Sequence, residues 1–540
     1  MCGIAGAIGQ HLQIESMVRA LEHRGPDGLG WDAIDDGVSF GHSRLAIIDP
    51  SPAGRQPMAF GPWRITYNGE IYNFRELRAH LEAKGERFTT QTDTEVLLRM
   101  WAVYGADCLP ALDGQFAFAV YNTDSRELTL VRDRAGEKPL YWRAGDGFAF
   151  ASELRPQVRP GDEVDPDSLA LYALYRYVPA PRTILLGVQK LPPAHILVYR
   201  PDGTHTLRRW WSWEVEPHHD VSVAGFRRAV DQVEAMLQES VRRRLVADVP
   251  LGMFLSGGID SSLTAAFAAR LGHTPKTFSI GFEGAASEHL EARAIARHLG
   301  TEHHEHIVTP ADFEAVGRSI GAKLDEPNGD RSCIPAYLLS WFARDHVKVA
   351  LSGDGGDELF GGYQRYFGPC ASPADYYQNL LPVYGDAHPG EMEAADPLWR
   401  TLDPLHARRA LDFNRYLPGC VLSKMDRMSM QHGLEVRTPF LMPELMDLAR
   451  TLPAAYLVNG NMGKLVLREI ASRYLPRDVA LAPKRGFGMP KGVFSQNSKV
   501  IAEMIEDAKP HCERAGFPEP PANMNAVWCY IVLGQWLGSL

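Results

Sequence analysis

The chain has 540 residues, a formal net charge of −10 and 45% hydrophobic residues, so it is long and apolar enough for at least two cored domains. Its acidic balance, without a long lysine or arginine run, argues against nucleic acid or an anionic membrane as the main partner. No apolar stretch approaches a membrane span and no export signal is evident, so the expectation is a cytoplasmic protein; seven scattered cysteines without a CxxC pair fit reduced thiols there.

The start, MCGIAGAIG, places a cysteine second. Trimming of a methionine that precedes a small residue would leave Cys2 with both a thiol and a free α-amino group. An α-amine of ordinary pKa about 7.7–8.0 can take the proton of a thiol near 8.5, the arrangement of an N-terminal nucleophile. From residue 1 to about 205 follow short strand-like runs, VSFGHSRLAII, WRITYN, QFAFAVYN, ELTLVRD and FAFASE, with helical stretches such as TDTEVLLRMWAVYG between them. The pattern predicts an α+β domain on antiparallel sheet. Within it, Asn68-Gly69 follows the strand WRITY and offers a side-chain amide plus a backbone N–H, the equipment of an oxyanion hole. Arg44 suits a substrate carboxylate, and Asp93 with Glu70 nearby suits a substrate ammonium. Such a clamp fits a free α-amino acid.

The strand repertoire stops around LRRWWSWEVEPHHD, which places a linker at residues 206–225. Trp210, Trp211 and Trp213 are expected to pack this junction rather than stack bases, and His218 to Asp220 to belong to the linker. Beyond it, an amphipathic helix precedes alternating strands and helices, LGMFL, SLTAAFAARLG, KTFSIGF, SEHLEARAIARHLG and VKVALS, the signature of a parallel, doubly wound α/β sheet. The last third reads as mostly helical.

LGMFL runs into SGGIDSS, Ser256 to Ser262. Its glycines let backbone amides approach an anion, Ser256, Ser261 and Ser262 add donors, and a helix N-terminus follows, which together make a phosphate cradle. No Gly-Lys-[Ser/Thr] follows, so this is not a Walker loop. Asp260 in the cradle makes sense beside a magnesium ion. At VKVALSGDGGDELFGGY a second strand ends in Ser352-Gly353, with Asp354, Asp357 and Glu358 crowded into one turn that calls for a cation. Ile280, at the end of the intervening strand, is placed to wall an adenine, and Lys464 to reach phosphate. The histidines of TEHHEHIV are expected to be structural rather than metal ligands.

These motifs, with HRGPDG (His23 to Gly28), NGEIYN, DTE, RDRAGEKPLYW and KMDRMSMQHGLEVRTPFL (Lys424 to Leu441), resemble the glutamine-dependent asparagine synthetases along nearly the whole chain. The resemblance implies an Ntn-hydrolase αββα sandwich (1–205) joined to an ATP-pyrophosphatase domain (226–540) with a helical C-terminal part. It implies that Cys2 hydrolyses L-glutamine through a thioester, with Arg44, Asn68, Gly69, Glu70 and Asp93 at the glutamine and oxyanion positions. Ammonia would cross a tunnel to a carboxylate activated by ATP, with L-aspartate the first acceptor. By matching position, Ser256, Gly257, Gly258, Asp260, Ser261 and Lys464 would bind pyrophosphate, Leu255, Ile280, Ser352 and Gly353 would contact AMP, and Asp260 and Asp357 would hold Mg2+. Asp354 stands where family members carry glutamate, at a position tied to ammonia or substrate, so its catalytic role is open. Relatives amidate other carboxylates or close lactams; the lactam formers often lack the N-terminal cysteine, so Cys2 disfavours them. Two complete sites also disfavour a non-catalytic paralogue. Homodimers are common in the family.

Overall fold

The computed structural model describes residues 1–9, 13–218, 221–283, 288–368, 370, 372–373, 375–376, 397–483 and 499–540. The N-terminal part contains twelve strands: β1 (Gly3–Ile8), β2 (Gly28–Asp35), β3 (Val38–Arg44), β4 (Met58–Phe60), β5 (Trp63–Ile71), β6 (Gly114–Asn122), β7 (Glu127–Arg132), β8 (Tyr141–Gly145), β9 (Gly147–Ala151), β10 (Gln189–Lys190), β11 (His195–Tyr199) and β12 (His205–Arg209). They form two antiparallel six-stranded sheets, ordered β10-β8-β9-β1-β3-β2 and β12-β11-β7-β6-β5-β4. The run QFAFAVY of β6 is buried on both faces because each face has a different cover. Ala117, Ala119 and Tyr121 meet Ile4, Phe40 and Phe150 of the other sheet. On the opposite face Phe116, Phe118 and Val120 pack under Val96, Leu97 and Trp101 of the helix Asp93–Tyr104. The short helix Ile14–Arg19 covers the outer face of the first sheet through Met17 and Val18. The layers are therefore helix, sheet, sheet, helix, the expected αββα sandwich.

The second part is organised by five parallel strands, β13 (Leu251–Phe254), β14 (Lys276–Phe282), β15 (Glu302–Val308), β16 (Val349–Leu351) and β17 (Glu435–Arg437), ordered β15-β14-β13-β16-β17. From β13 the chain winds outward through β14 and β15, then returns to the other side of β13 with β16. That reversal makes the carboxyl ends of β13 and β16 a topological switch point, where open α/β sheets bind ligands. The C-terminal third is helical, as expected, with the helix Met524–Leu537 almost wholly buried. Among the described residues no helix is long and apolar enough to cross a membrane.

The histidine-rich segment is the edge strand β15, a role the sequence pattern did not reveal because its burial is only partial. His303 bonds Thr277 at 2.9 Å, His304 stacks on Phe278 and His306 lies against Trp341 and Phe342. At the junction β12 continues to Arg209, inside the stretch read as linker, and the helix Val223–Arg244 begins before that stretch ends. The tryptophans pack there: Trp210 donates to Arg132 O at 3.1 Å, and Trp213 stacks on Phe413 and donates to Met446 O at 3.0 Å. His218 N bonds Thr451 O at 2.8 Å. His219 and Asp220, the rest of that linker reading, lie outside the described residues.

Candidate active sites

The first site opens where β1 and β5 begin and end. Cys2 precedes β1, and its backbone N–H donates to Asn68 Oδ1 at 2.8 Å. A narrow cleft is lined by Cys2, Arg44, Gly69, Glu70 and Asp93 together with His42, Gln56 and Thr92. Six residues chosen from sequence thus converge, Asn68 through its bond to Cys2. Burial pushes the Cys2 thiol up, opposed by the adjacent terminal ammonium. Met1 precedes Cys2 in the structure, so the Cys2 nitrogen is a peptide N–H.

Each wall of the cleft has a local cause. Asn68 is fully buried, and its Nδ2 has no hydrogen-bond partner among the described residues, leaving two donors beside the thiol. Gly69 must be glycine, because a Cβ would sit 2.2 Å from Gln115 O across the ladder. Arg44 is held by two backbone carbonyls, Asp49 O at 2.7 Å and Ser51 O at 2.8 Å. Its path requires Gly54, whose Cβ would lie 2.1 Å from Arg44 Nη2. Asp93 begins its helix just after the cap Thr92, and its Oδ2 accepts from Tyr67 OH at 2.8 Å and Ile71 N at 3.1 Å. Burial raises the Asp93 carboxyl and raises Glu70 more strongly, with Asp93 adding repulsion and Arg437 opposing. A buried acidic pair of this kind favours a cationic ligand.

Two residues that border this site come from the other domain, inside the stretch KMDRMSMQHGLEVRTPFL that carried the resemblance but was given no role there. Glu435 and Arg437 point from β17 toward the cleft. Arg437 bonds Glu435 at 2.6 Å, reaches Glu70 at 3.4 Å and donates to Arg244 O and Val246 O. Burial alone would raise the Glu435 carboxyl; its pairing with the Met1 ammonium and with Arg437 brings it down to about 2. The backbone carbonyl of Arg437 accepts from Ser352 N at 2.9 Å, at the head of the second site. Gln115, opposite Glu70 on β6, is fully buried with neither amide atom partnered among the described residues.

In the second site the loop after β13 folds on itself. Ser256 Oγ accepts from Gly258 N and meets Ser261 Oγ at 3.0 Å, and Gly258 caps the helix Ile259–Arg270. The serines therefore shape the loop around a helix N-terminus, a ready anion site. The loop after β16 approaches it closely: a Cβ on Gly353 would lie 2.8 Å from Asp260 Cβ, and one on Gly356 2.8 Å from Asp260 Oδ1. Lys464 bridges the two loops, pairing with Asp260 and with Asp357 at 2.6 Å. Leu255 and Ile280 are buried at the ends of neighbouring strands. Asp354 accepts from Ser352 Oγ at 2.9 Å.

Beside Asp354 lies a group that sequence reading did not assign. Lys424 pairs with Asp330 at 3.2 Å and donates to Ser332 Oγ at 2.7 Å. Burial opposes the Lys424 charge, but Asp330 and, more weakly, Asp354 raise its pKa above the ordinary lysine value. Glu358, under the same turn, is pushed up to about 8 by burial and by Asp357, and accepts from Tyr363 OH at 2.7 Å. Among the described residues no cluster of three or more His, Cys, Asp or Glu side chains converges as a metal cage. Two carboxylates that reach one ammonium nitrogen suit a magnesium ion, which keeps waters and takes phosphate oxygens for its remaining ligands.

A buried cysteine beside an orphan amide donor, joined in one chain to a switch-point nucleotide cradle, defines a two-site amidotransferase and nucleotide-dependent synthetase. Residues 1–211 match the glutamine amidotransferase domain family and residues 232–517 the asparagine synthase family. A glutamine-hydrolysing asparagine synthetase of Bacillus subtilis is 32% identical, covering 95% of this chain and 91% of its own length. A putative glutamine-hydrolysing asparagine synthetase of Mycobacterium bovis is 33% identical, covering 91% of this chain and 88% of its own. A solved glutamine phosphoribosylpyrophosphate amidotransferase from B. subtilis, complexed with ADP and GMP, overlays with a TM-score of 0.30 at 18% identity, covering 56% of this chain and 65% of that one. The chain belongs to the asparagine synthetase family, the ATP-dependent, glutamine-hydrolysing amide synthetases.

Proposed function

We propose that the chain converts L-aspartate, L-glutamine and ATP to L-asparagine, L-glutamate, AMP and diphosphate, using the residues described above at two sites joined by internal ammonia transfer. The observation that carries this reading is Arg437, whose side chain reaches Glu70 of the first cleft at 3.4 Å while its carbonyl accepts from Ser352 N at the second site.

In the first half, removal of Met1 frees the Cys2 amine to take the thiol proton. Arg44 holds the glutamine α-carboxylate, and Asp93 with Glu70 holds its ammonium. Sulfur attacks the side-chain amide carbon while Asn68 Nδ2 and the Gly69 N–H donate to the oxyanion. The C–N bond breaks, the nitrogen leaves as ammonia with the proton returned by the amine, and water then hydrolyses the thioester. Gln115, buried beside Glu70 with its amide unsatisfied, supports an inward route for a small polar molecule.

In the second half, Leu255, Ile280, Ser352 and Gly353 seat the adenosine monophosphate portion, while Ser256, Gly257, Gly258, Ser261 and Lys464 receive pyrophosphate. Asp260 and Asp357 would hold magnesium, which when bound neutralises charge on the phosphates. The acceptor carboxylate attacks the α-phosphorus and expels pyrophosphate; ammonia then attacks the acyl carbon and AMP leaves. Asp354, tied to Ser352 and close to Lys424, is placed to receive the surplus proton. The same reading assigns no nucleic-acid or membrane partner and a cytoplasmic homodimer.

The test uses amide-nitrogen-labelled glutamine with ATP, magnesium and aspartate, followed by mass spectrometry. Labelled asparagine with stoichiometric AMP is expected. Glutamate without asparagine or AMP would reject aspartate and direct the search to another carboxylate. Cys2→Ala is expected to abolish glutamine-supported synthesis and spare ammonia-supported synthesis; loss of both would reject the two-site assignment.

A further inference from the structure

Three independent features bring the Lys464 ammonium to a point between Asp260 and Asp357. The first is its backbone, which is left-handed at φ +59° immediately before the helix Leu465–Tyr474. A non-glycine residue adopts this conformation at a cost of about 1–3 kcal/mol, so the surrounding structure must impose it. Here the imposing contacts are Lys464 N to Phe360 O at 3.2 Å and Arg468 N to Lys464 O at 2.8 Å. The second is Gly362, over which the lysine stem passes: a Cβ there would lie 2.2 Å from Lys464 Cε and 1.9 Å from Asp357 Oδ1. The third is the pair of carboxylates itself, delivered by loops from two different strands.

The lysine is only 4% exposed and Asp260 8%, so water screens the group poorly. A buried ion cluster that loses one partner retains an uncompensated charge, a strongly unfavourable state. A cation held between the two carboxylates stabilises them, and in the absence of nucleotide the Lys464 ammonium reaches both. The point that the ammonium occupies is also the point on which both carboxylates converge, so a divalent cation and Lys464 Nζ exclude each other there by volume and by charge.

We propose that Lys464 is a resting counter-ion of the metal site: its ammonium occupies the point between Asp260 and Asp357 and keeps a divalent cation out until a bound triphosphate draws the ammonium onto the phosphate oxygens. Metal then enters with nucleotide rather than before it. This rests on the assignment of the two aspartates to magnesium, and it adds an order of binding and a second task for the lysine. A flexible stem with a compact, rotatable ammonium suits an exchange between two anionic partners better than a planar guanidinium would.

Mn2+ is the probe, and the readout is the electron paramagnetic resonance signal of the free ion, titrated with full-length protein in the presence and absence of ATP, without aspartate or glutamine. Wild type is expected to take up Mn2+ at this site only with ATP. Lys464→Met is expected to bind Mn2+ without nucleotide at least about tenfold more tightly than wild type, and the melting temperature of that variant alone is expected to rise with Mn2+. Adding Asp260→Asn to Lys464→Met should erase the gain, locating it at this pair. If Lys464→Met does not accumulate folded, Lys464→Gln is measured in the same way. Nucleotide-free wild type that binds Mn2+ as tightly as the lysine variant, at a site abolished by Asp260→Asn, overturns the proposal. Failure of the underlying assignment reads differently: Asp260→Asn and Asp357→Asn would each leave the ATP-dependent Mn2+ uptake of the wild-type lysine background intact.

Discussion

Asn68→Ala separates the two tasks of one side chain. In the resting enzyme Oδ1 accepts from Cys2 N at 2.8 Å, a bond worth about 1 kcal/mol net. Nδ2, fully buried without a partner among the described residues, costs about 1–3 kcal/mol of unrecovered desolvation. Alanine removes the gain and the cost together, so the change in folding stability should be within about 2 kcal/mol in either direction. Catalysis has no such cancellation, because the donor finds its partner only when negative charge develops on the substrate oxygen. Losing an oxyanion donor costs about 2.7–4 kcal/mol, or about 10²–10³ in kcat. The assay is glutamate release together with glutamine-supported amide synthesis, against ammonia-supported synthesis as internal control. The expected pattern is a glutaminase kcat down by at least about 100-fold with ammonia-supported turnover unchanged. Asn68→Asp, which keeps an acceptor for Cys2 N but offers no donor, should be no better than alanine. A kcat loss below about tenfold in folded protein, or an equal loss in both assays, would refute the oxyanion assignment.

Gly353→Ala introduces a Cβ 2.8 Å from Asp260 Cβ and 2.9 Å from Ser261 N. The two nucleotide loops must separate, so ATP-dependent synthesis should fall by about tenfold or more, 1.4 kcal/mol of transition-state stabilisation, while basal glutaminase persists. Arg437→Met leaves Glu435 and Glu70 buried without their guanidinium, which should lower stability by about 3–5 kcal/mol in a urea titration. A shift below about 1 kcal/mol would show that the cluster relaxes. Burial, with Arg44, depresses the His42 pKa from 6.5 to about 3, so the folded ring stays neutral where the unfolded one protonates. Stability is then lost as pH falls from 6.5 toward 3, by up to about 1.4 kcal/mol per unit. His42→Gln should flatten that part of the profile, measured as urea midpoints at successive pH values.

The parts of the molecule that could be read from sequence are those whose chemistry is contiguous in the chain. Ser256 to Ser262 declares a cradle because strand, glycine turn and helix follow within one stretch, and the structure places that stretch at the end of β13. Asn68-Gly69 was read as following the strand WRITY, whereas β5 runs on through both residues to Ile71. The strands β10 and β17 were not read as strands, because they are two and three residues long and pair with distant segments, and β8 was missed although it forms a hairpin with the adjacent β9. Lys424, Glu435 and Arg437 lay in a stretch that carried the resemblance, yet neither they nor Asp330 were assigned a role, on the same ground. Each is a charged residue in an ordinary sequence setting whose meaning comes from burial against a carboxylate, an ammonium or a guanidinium elsewhere. His42 carries no local mark either; only its place on β3, facing the cleft, reveals it.

The division of labour between the two sheets explains why two of the missed residues, Glu435 and Arg437, share one strand. β17 belongs by hydrogen bonding to the nucleotide sheet, where it flanks β16 in parallel register. Alternation along a strand sends successive side chains to opposite faces. Val436 therefore packs into the core behind the sheet, while Glu435 and Arg437 both turn toward the amidotransferase half. One three-residue strand thus reaches Glu70 of the first cleft with a side chain and Ser352 of the second site with a carbonyl. β16 and its loop are hydrogen-bonded to the same backbone that carries Arg437 against Glu70. Sharing a strand between the two sites makes their alignment a property of the sheet, which suits the internal ammonia transfer proposed above.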